Sequence, residues 1–328
     1  MMRAMVVPAP GMPLIAEERP MPQPAPGELL IAIGACGVCR TDLHVADGDL
    51  PQTHYPVVPG HEVVGRIAAL GEGVTGWRVG ARVGVPWLGS ACGHCPYCAM
   101  ARENLCDAPT FTGCSRDGGF ASHMTADAAF CLELPDNFDD ISGAPLLCAG
   151  LIGYRAYRMA GDARRLGLYG FGAAAHIIAQ VAVADERAVH AFTRRDDTRS
   201  QDFARSLGAV WAGPSDAAPP DELDAAILFA PVGALVPEAL RRVRKGGRVV
   251  CAGIHMSDIP RFAYADLWGE REIVSVANLT REDGHAFLAR MARAPVSVHT
   301  RRYALADANV ALDDLRAGRL DGAAVLVP

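Results

Sequence analysis

The chain has 328 residues, half of them hydrophobic, with a formal net charge of −6 at pH 7. This length favours about two domains, the acidic balance argues against a nucleic-acid partner, and no stretch reaches the roughly 18 uninterrupted apolar residues of a membrane helix. Without an apolar signal segment at the N-terminus, we expect a cytoplasmic protein, and the close spacing among its ten cysteines points to metal binding rather than disulfides.

The first part of the chain is rich in glycine, proline and short apolar runs. The segments "ELLIAIGACG", "HEVVGRIAALG" and "GARVGVPWLG" are typical of β-strands closed by glycines. We predict a twisted, barrel-like β domain with long loops up to about residue 145.

From about residue 148, strand-like runs alternate with helical patterns. "RLGLYG" precedes "AAAHIIAQVA", "RAVHAFT" precedes "RSQDFARSLG", and "LDAAILFA" precedes "LVPEALRRVRKGG", which leads into "RVVCAGI". This alternation predicts βαβ units and a parallel sheet. After about residue 278 it gives way to a helical segment, "REDGHAFLARMA", and a last strand, "GAAVLVP".

Four cysteines lie close together in the stretch "CGHCPYCAMARENLC". Iron–sulfur proteins use a C-x2-C-x2-C-x3-C-P run, but here seven residues precede the last cysteine and Asp107 follows it. Four thiolates from one compact loop form a closed tetrahedral shell, which is typical of structural zinc. We therefore predict a structural zinc site without an open position for substrate, formed by Cys92, Cys95, Cys98 and Cys106.

A catalytic zinc needs three protein ligands and one open position. The candidates are Cys39 in "GVCRTDLH", His61 in "PGHEVVG" and Cys148 in "PLLCAGLIGY". Because they lie far apart in the chain, spacing alone does not join them. We interpret the remaining cysteines as small core residues, namely Cys36, Cys114, Cys131 and Cys251.

A glycine-rich turn follows the first strand of the alternating region. In "LGLYGFGAAAHIIAQVA", Gly170, Gly172 and Ala175 have G-x-G-x-x-A spacing between a strand and a helix. The first glycine permits the tight turn, the second lets a pyrophosphate approach the helix N-terminus, and the small third residue allows close packing. The pattern predicts a dinucleotide site, although an ordinary tight turn would look the same.

The end of the next strand bears on the choice of dinucleotide. An NAD site usually has an acidic residue there for the ribose, whereas "RAVHAFTRRDD" ends in Thr193, Arg194 and Arg195. Arginine offers a bidentate fork to a 2′-phosphate. We favour NADP(H) over NAD(H), with Asp196 and Asp197 as alternative partners for a ribose.

These segments in this order resemble the zinc-dependent medium-chain alcohol dehydrogenases, and among them the cinnamyl-alcohol-dehydrogenase-like bacterial branch. "DGGFASHM" and "LLCAGLIGYRA" belong to the same set, and the resemblance covers nearly the whole chain. It implies an α/β fold with a GroES-like, β-rich catalytic domain at residues 1–147 and 278–328. A Rossmann domain with a doubly wound parallel sheet, residues 148–277, is inserted into it.

The resemblance also implies roles for single residues. Cys39, His61 and Cys148 match the ligands of the catalytic zinc, and the four-cysteine stretch matches the structural zinc lobe. Glu62 matches the carboxylate beside the zinc, and Asp42 matches the acceptor that orients the histidine ligand. Thr41 and His44 match the proton relay. Arg40 matches a contact to the cofactor pyrophosphate, and Leu50 and Trp87 match residues of the substrate cleft.

Some positions depart from the family pattern. Ile152 stands where many relatives place a threonine near the nicotinamide, and Ala323 stands near a position where relatives often carry an arginine. Ala173 and Ala175 replace glycines of the fullest fingerprint. These changes bear on details of cofactor binding and leave the reaction class unchanged.

The implied function is hydride transfer between NAD(P)(H) and a primary or secondary alcohol, or in reverse to an aldehyde or ketone. Zinc lowers the pKa of bound water from 15.7 to about 7, and a bound alcohol should behave similarly. Two alternatives are a zinc-free quinone or enone reductase and a non-catalytic zinc-binding interaction module. Two zinc ions per chain would distinguish the first function from the others, and the resemblance implies a homodimer or homotetramer.

Overall fold

The computed structural model describes residues 1–320 and 322–328, which divide into two compact units. The first unit comprises Met1–Leu151 and Asn278–Pro328, and the second comprises Ile152–Ala277. The boundary follows Leu151, whereas the sequence analysis placed it after residue 147. That difference matters for Cys148, which belongs to the first unit together with the other candidate ligands.

The elements follow one another in chain order. The strands are β1 (Met2–Val6), β2 (Ile15–Arg19), β3 (Glu28–Val38), β4 (Glu62–Leu70), β5 (Arg82–Val85), β6 (Leu88–Ser90), β7 (Thr110–Phe111), β8 (His123–Asp127), β9 (Arg165–Tyr169), β10 (Ala188–Thr193), β11 (Trp211–Pro214), β12 (Leu223–Leu228), β13 (Val243–Cys251), β14 (Glu272–Ser275), β15 (Thr300–Ala304) and β16 (Ala323–Val327). The helices are α1 (Arg40–Asp47), α2 (Pro96–Ala99), α3 (Asp140–Gly143), α4 (Ala149–Met159), α5 (Ala173–Ala184), α6 (Thr198–Ser206), α7 (Leu235–Arg242), α8 (Tyr264–Leu267), α9 (Arg281–Arg293) and α10 (Ala308–Arg316).

The first unit is organised around the long strand β3. Its main sheet has the order β15-β16-β3-β4-β5, and β8 also pairs with β3. All pairings of β3 are antiparallel, to β4, β8 and β16. The apolar side chains of β3, such as Leu29 and Ile31, are buried in the core of this unit. In the chain, α1 follows β3 directly, and β4 is the next strand of the same sheet. The candidate ligands stand at the N-terminal end of α1 and at the start of β4.

The second unit contains a parallel sheet with the order β11-β10-β9-β12-β13-β14. Numbered from β9, this is the order 3-2-1-4-5-6 of a doubly wound dinucleotide-binding sheet, so the predicted Rossmann fold is confirmed. Helix α5 is apolar on most faces, as expected for a buried crossover helix, and most of its residues are buried.

One helix of this unit is shorter than the sequence pattern predicts. The segment "LVPEALRRVRKGG" was expected to be helical, but α7 ends at Arg242 and β13 begins at Val243. The β-branched side chain of Val243 is fully buried, which suits the first position of a strand better than the end of a helix. Within the described residues, no helix combines the length and apolar character that a membrane crossing requires.

Candidate active site

Helix α1 begins at a cysteine that also faces the candidate metal site. Cys39 is the N-cap residue, and its sulfur accepts a hydrogen bond from the backbone N–H of Thr41 at 3.3 Å. The carboxylate of Asp42, three residues into the motif, accepts from the backbone N–H of Cys39 at 2.8 Å. This reciprocal arrangement is a capping box, and it holds the Cys39 sulfur at the positive end of the helix.

Asp42 links this helix to His61. It is fully buried, and its Oδ1 accepts from the backbone N–H of Gly60 at 3.1 Å and lies 3.2 Å from Nδ1 of His61. An N–H on Nδ1 that donates to Asp42 leaves the lone pair of Nε2 free to bind a metal. Nε2 points towards Cys39, whose sulfur is 3.1 Å away.

Two further side chains complete the cluster. Cys148 precedes α4, and its sulfur is 4.0 Å from that of Cys39. The potential ligand atoms of Cys39, His61, Glu62 and Cys148 all lie within 4.8 Å of one another. The structure therefore brings together the three predicted ligands and the predicted neighbouring carboxylate, which the sequence could not join by spacing.

Glu62 opens β4 directly opposite Gly37 of β3. A Cβ at Gly37 would lie 1.9 Å from Oε2 of Glu62, so the glycine is what makes room for this carboxylate. Oε2 is buried and has no hydrogen-bond partner. Burial raises the pKa of Glu62 well above its usual value. A buried polar atom of this kind beside three metal-ligating side chains fits a cation site.

Without a metal, the ligand side chains influence one another's protonation. The contact between the sulfurs of Cys39 and Cys148 lowers the pKa of Cys39 and raises that of Cys148. Burial by itself lowers the pKa of His61, but the negative groups of Cys39 and Asp42 outweigh it and raise that pKa. Two thiolates and a neutral imidazole are the donor set that zinc prefers, and a bound cation would stabilise this ionisation state.

The predicted relay residues lie on α1. Thr41 is buried, whereas His44 is half-buried and its Nδ1 is 2.7 Å from a carboxylate oxygen of Asp49. The sequence analysis did not single out Asp49, although its position five residues after His44 in a turn could have suggested the contact. Arg40 is exposed at the first position of the helix.

The two residues assigned to a substrate cleft have different surroundings. The ring of Trp87 packs edge-on against His61 with centroids 5.0 Å apart, and it stacks on Phe111 at 5.0 Å. Leu50 is buried in the hydrophobic core of the first unit. The sequence carried no sign of Phe111, because it lies on β7, distant in the chain from Trp87.

The four-cysteine stretch forms a second cluster. Its sulfur atoms lie within 4.8 Å of one another, and backbone N–H groups point at them, from Cys92 to the sulfur of Cys106 at 3.2 Å and from Cys95 to that of Cys92 at 3.4 Å. Burial and the neighbouring thiols raise the pKa of Cys98 to about 12. Four thiolates at this spacing therefore need a cation, as a closed zinc shell supplies.

A buried glutamate connects this lobe to α9. The carboxylate of Glu103 accepts from the backbone N–H of Arg281 at 3.0 Å and from its guanidinium at 3.1 Å. Asn278 adds a hydrogen bond from its side chain to the backbone carbonyl of Asn104 at 3.1 Å. The lobe is thus held at its last turn by the segment with which the chain re-enters the first unit.

In the second unit, the glycine turn lies between β9 and α5. Gly170 has φ of +85°, and a Cβ there would lie 2.9 Å from Ala230, so both conformation and packing require glycine. Gly172 is the N-cap of α5, no side chain caps this helix, and a Cβ at Gly172 would meet nothing within 4 Å. Open space in front of uncapped N–H groups fits a bound pyrophosphate.

The three predicted cofactor-binding residues at the end of β10 differ in their contacts, namely Thr193, Arg194 and Arg195. Thr193 is buried, and its hydroxyl donates to the carbonyl of Arg194 at 2.9 Å and accepts from Gln201 at 3.0 Å. Arg195 forms an exposed ion pair with Asp216. Arg194 is exposed, and its side chain makes no hydrogen bond or ion pair to any described residue.

Asp196 and Asp197, the alternative partners for a ribose, have different surroundings. Asp197 is the N-cap of α6 and accepts from the backbone N–H of Ser200 at 3.1 Å, whereas Asp196 is exposed. Gln201 orients Thr193. This role could not be predicted from the sequence, because glutamine is common inside helices.

Comparison with known proteins agrees with these sites. Residues 25–136 match the family model of the alcohol dehydrogenase GroES-like domain. The chain is 49% identical to a probable alcohol dehydrogenase of Mycobacterium tuberculosis over 94% of this chain and 90% of that protein. Among solved structures, a cinnamyl alcohol dehydrogenase of Sorghum bicolor matches 100% of this chain and 98% of its own, with a TM-score of 0.89 and 25% identity. A cobalt- and zinc-bound thermostable alcohol dehydrogenase of Pyrobaculum aerophilum matches 100% and 99% of the two chains, with a TM-score of 0.88 and 26% identity.

The matches to the Mycobacterium tuberculosis protein and to the two solved structures extend over nearly the whole length of each protein, so they include both the unit with the candidate metal clusters and the unit with the parallel sheet. They favour a zinc-dependent alcohol dehydrogenase over a zinc-free quinone reductase and over a non-catalytic zinc module. The chain belongs to the zinc-dependent medium-chain alcohol dehydrogenase family.

Proposed function

We propose that Cys39, His61 and Cys148 hold a catalytic zinc, with Glu62 beside it, in an enzyme that interconverts alcohols with aldehydes or ketones using NAD(P)(H). The observation that carries this proposal is the convergence of four ligand atoms within 4.8 Å in a buried cluster. When bound, zinc would act as a Lewis acid on the alcohol or carbonyl oxygen. The ligand set leaves the site nearly neutral, because two thiolates balance the charge of the ion.

The residues around the cluster have distinct tasks in this proposal. Asp42 holds the His61 ring through Nδ1, which keeps Nε2 directed at Cys39. Thr41 and His44 move the alcohol proton towards solvent. Asp49 holds Nδ1 of His44 and so orients the imidazole ring.

We further propose that the four-cysteine lobe holds a second, structural zinc. The test compares zinc content, turnover and thermal stability in Cys39→Ala and Cys98→Ala, with Cys131→Ala as the matched control. Cys131 is buried in the same unit but lies in neither cluster. Cys39→Ala should lose one zinc and all turnover with little change in stability, whereas Cys98→Ala should lose the other zinc and unfold at a lower temperature.

The control should retain both ions and its turnover. If Cys39→Ala kept two zinc ions or measurable turnover, the catalytic assignment would be wrong. Equal destabilisation in the first two variants would overturn the division into a catalytic and a structural site.

We propose that the cofactor is NADP(H) and that Arg194 recognises its 2′-phosphate. Support comes from its exposure without a partner at the end of β10, where Thr193 and Arg195 are already engaged. A charge-assisted hydrogen bond contributes about 1.5–3 kcal/mol, and exposure reduces this, so we expect about a tenfold preference. Homodimer or homotetramer formation remains a prediction.

The test measures kcat/KM with NADPH and NADH. Arg194→Ala should remove most of the preference for NADPH, while Arg195→Ala, which removes only a residue paired with Asp216, should keep it. A wild-type preference for NADH would refute the proposed cofactor without touching the zinc assignments.

A further inference from the structure

A cavity of about 650 Å³ lies in the first unit, and neither candidate metal cluster contributes to its lining. Every strand of the main sheet contributes one residue to its wall, and the segment 136–141 forms the other side. The strand residues are Arg302 of β15, Val327 of β16, Gly34 of β3, Arg66 of β4 and Arg82 of β5. None of the candidate metal ligands lines this space, so it is separate from the active site. We call it the arginine cavity.

Three guanidinium groups in the arginine cavity have no counter-charge. Arg66, Arg78 and Arg302 are exposed, and their side chains form no hydrogen bond or ion pair with any residue in 1–320 and 322–328. Other arginines of the same unit are paired with carboxylates, for example Arg116 with Glu28 and Arg316 with Asp47. Three arginines without a carboxylate partner therefore line one concave surface.

The fourth arginine is fixed in the wall. Arg82 lies directly opposite Arg66 in the register of β4 and β5, a placement of like charges that is unfavourable by itself. Its Nε donates to Asp140 at 2.8 Å and its Nη1 to the carbonyl of Pro135 at 3.2 Å. Its Nη2 is buried and has no partner.

The acidic residues of the cavity leave a surplus of positive charge. Asp140 is already paired with Arg82, and Gly34 makes room for it, because a Cβ there would lie 2.2 Å from Oδ2 of Asp140. Asp139 caps α3 by accepting from the backbone N–H of Ser142 at 2.7 Å and from its hydroxyl at 2.6 Å. The carboxylates of Asp136 and Asp139 therefore face three unpaired guanidiniums, which leaves a surplus of one positive charge.

We propose that the arginine cavity binds a small multivalent anion of the phosphate class, such as a diphosphate group. Guanidinium forks match phosphate oxygens with paired hydrogen bonds, and clustered charges over a concave wall focus the potential on a ligand. The volume lies within the range of small-molecule sites. A bound dianion would also relieve the repulsion between the facing arginines of β4 and β5.

The test titrates inorganic pyrophosphate into the full-length protein by calorimetry, at constant low ionic strength. Wild type should bind it, and Arg66→Gln combined with Arg302→Gln should weaken binding at least about tenfold, since each charged contact contributes roughly that factor or more. Arg3→Gln is the matched control, because Arg3 is an exposed arginine of the same unit outside the cavity. Saturating NADP+ is present throughout, so that the pyrophosphate position at the glycine turn of the second unit is occupied, and the control should retain the wild-type affinity within about twofold.

Folding of the double variant is checked by its melting temperature without anion, which should equal or exceed that of wild type because like-charge repulsion has been removed. Unchanged pyrophosphate affinity in the double variant, no binding by wild type, or loss of binding in Arg3→Gln would overturn the proposal. Malonate serves as a dicarboxylate probe, and binding as tight as that of pyrophosphate would overturn the assignment to the phosphate class.

Discussion

Replacing Asp42 by alanine should weaken both the fold and the metal cluster, and the structure allows the two effects to be separated. The carboxylate accepts from the backbone N–H groups of Cys39 and Gly60 and holds Nδ1 of His61, at 2.8, 3.1 and 3.2 Å. Loss of a helix cap costs about 1 kcal/mol, and each buried donor left without a partner costs about 1–3 kcal/mol. We expect Asp42→Ala to lower the free energy of unfolding by about 3–5 kcal/mol.

Helix α9 supplies a matched control for the capping contribution. Asp283 occupies the same capping-box position, is buried, and accepts from the backbone N–H of Thr280 at 3.1 Å and from its hydroxyl at 2.8 Å. Asp283 belongs to neither metal-ligating cluster. Asp283→Ala should therefore lose about 1–2 kcal/mol of stability and leave metal binding unchanged.

The assay combines chemical denaturation with zinc release to a coloured chelator. Loss of a residue that orients a ligand typically costs 10- to 100-fold in metal affinity, so one of two zinc ions should leave Asp42→Ala much faster than wild type. The reasoning is refuted if both variants release zinc equally, or if Asp42→Ala is no less stable than Asp283→Ala.

Three further predictions concern the relay, the glycine turn and a buried carboxylate. Thr41→Ala should reduce alcohol oxidation strongly and His44→Ala by about tenfold, because water can replace a terminal proton shuttle; unchanged rates from pH 6 to 9 in Thr41→Ala would exclude Thr41. Gly172→Ala should keep the melting temperature but raise the KM for the cofactor, because its Cβ would enter only the open space before α5. Gly170→Ala should instead lower the melting temperature, because Gly170 has a positive φ and its Cβ would contact Ala230. Equal melting temperatures of the two variants would contradict this. Burial alone would raise the pKa of Asp224, but hydrogen bonds from Arg244 and Arg165 lower it from 3.8 to about 2, so its stabilising contribution is present above pH 4 and lost as the pH falls towards 2. Asp224→Asn should therefore be less stable than wild type at pH 7 by about 1–2 kcal/mol, and a gap that did not narrow in denaturation experiments between pH 4 and pH 2 would argue against the assignment.

The features that could be predicted from the sequence are formed by residues that lie close together in the chain. The turn at Gly170 and Gly172 could be placed because strand, glycines and helix follow one another directly in the chain. The four-cysteine lobe could be interpreted for the same reason, since one loop supplies every sulfur. The convergence of Cys39, His61 and Cys148 depends on β3 and β4 packing against the turn at Ala144–Leu147, which precedes Cys148, and only the resemblance to a family suggested it in advance.

Side-chain direction was harder to predict than position. Thr193 was expected to face the cofactor, yet Gln201 and the carbonyl of Arg194 hold its hydroxyl inside the unit. Arg194 and Arg195 are adjacent and chemically alike, but only Arg195 has Asp216 within reach. Such differences arise from partners on other elements, which no local pattern encodes.

The pairing of β16 with β3 bears on the order in which the protein is assembled during synthesis. Strand β16 pairs with Cys36, Gly37 and Val38, the residues that lead directly into Cys39. A growing chain has every candidate ligand of the open cluster once Cys148 has been made, but the strand that fixes the approach to Cys39 is translated only after all of them. The four-cysteine loop has no such dependence among its own ligands. On the ribosome, we expect the lobe to acquire its ion early and the open cluster to acquire its ion only after β16 has paired.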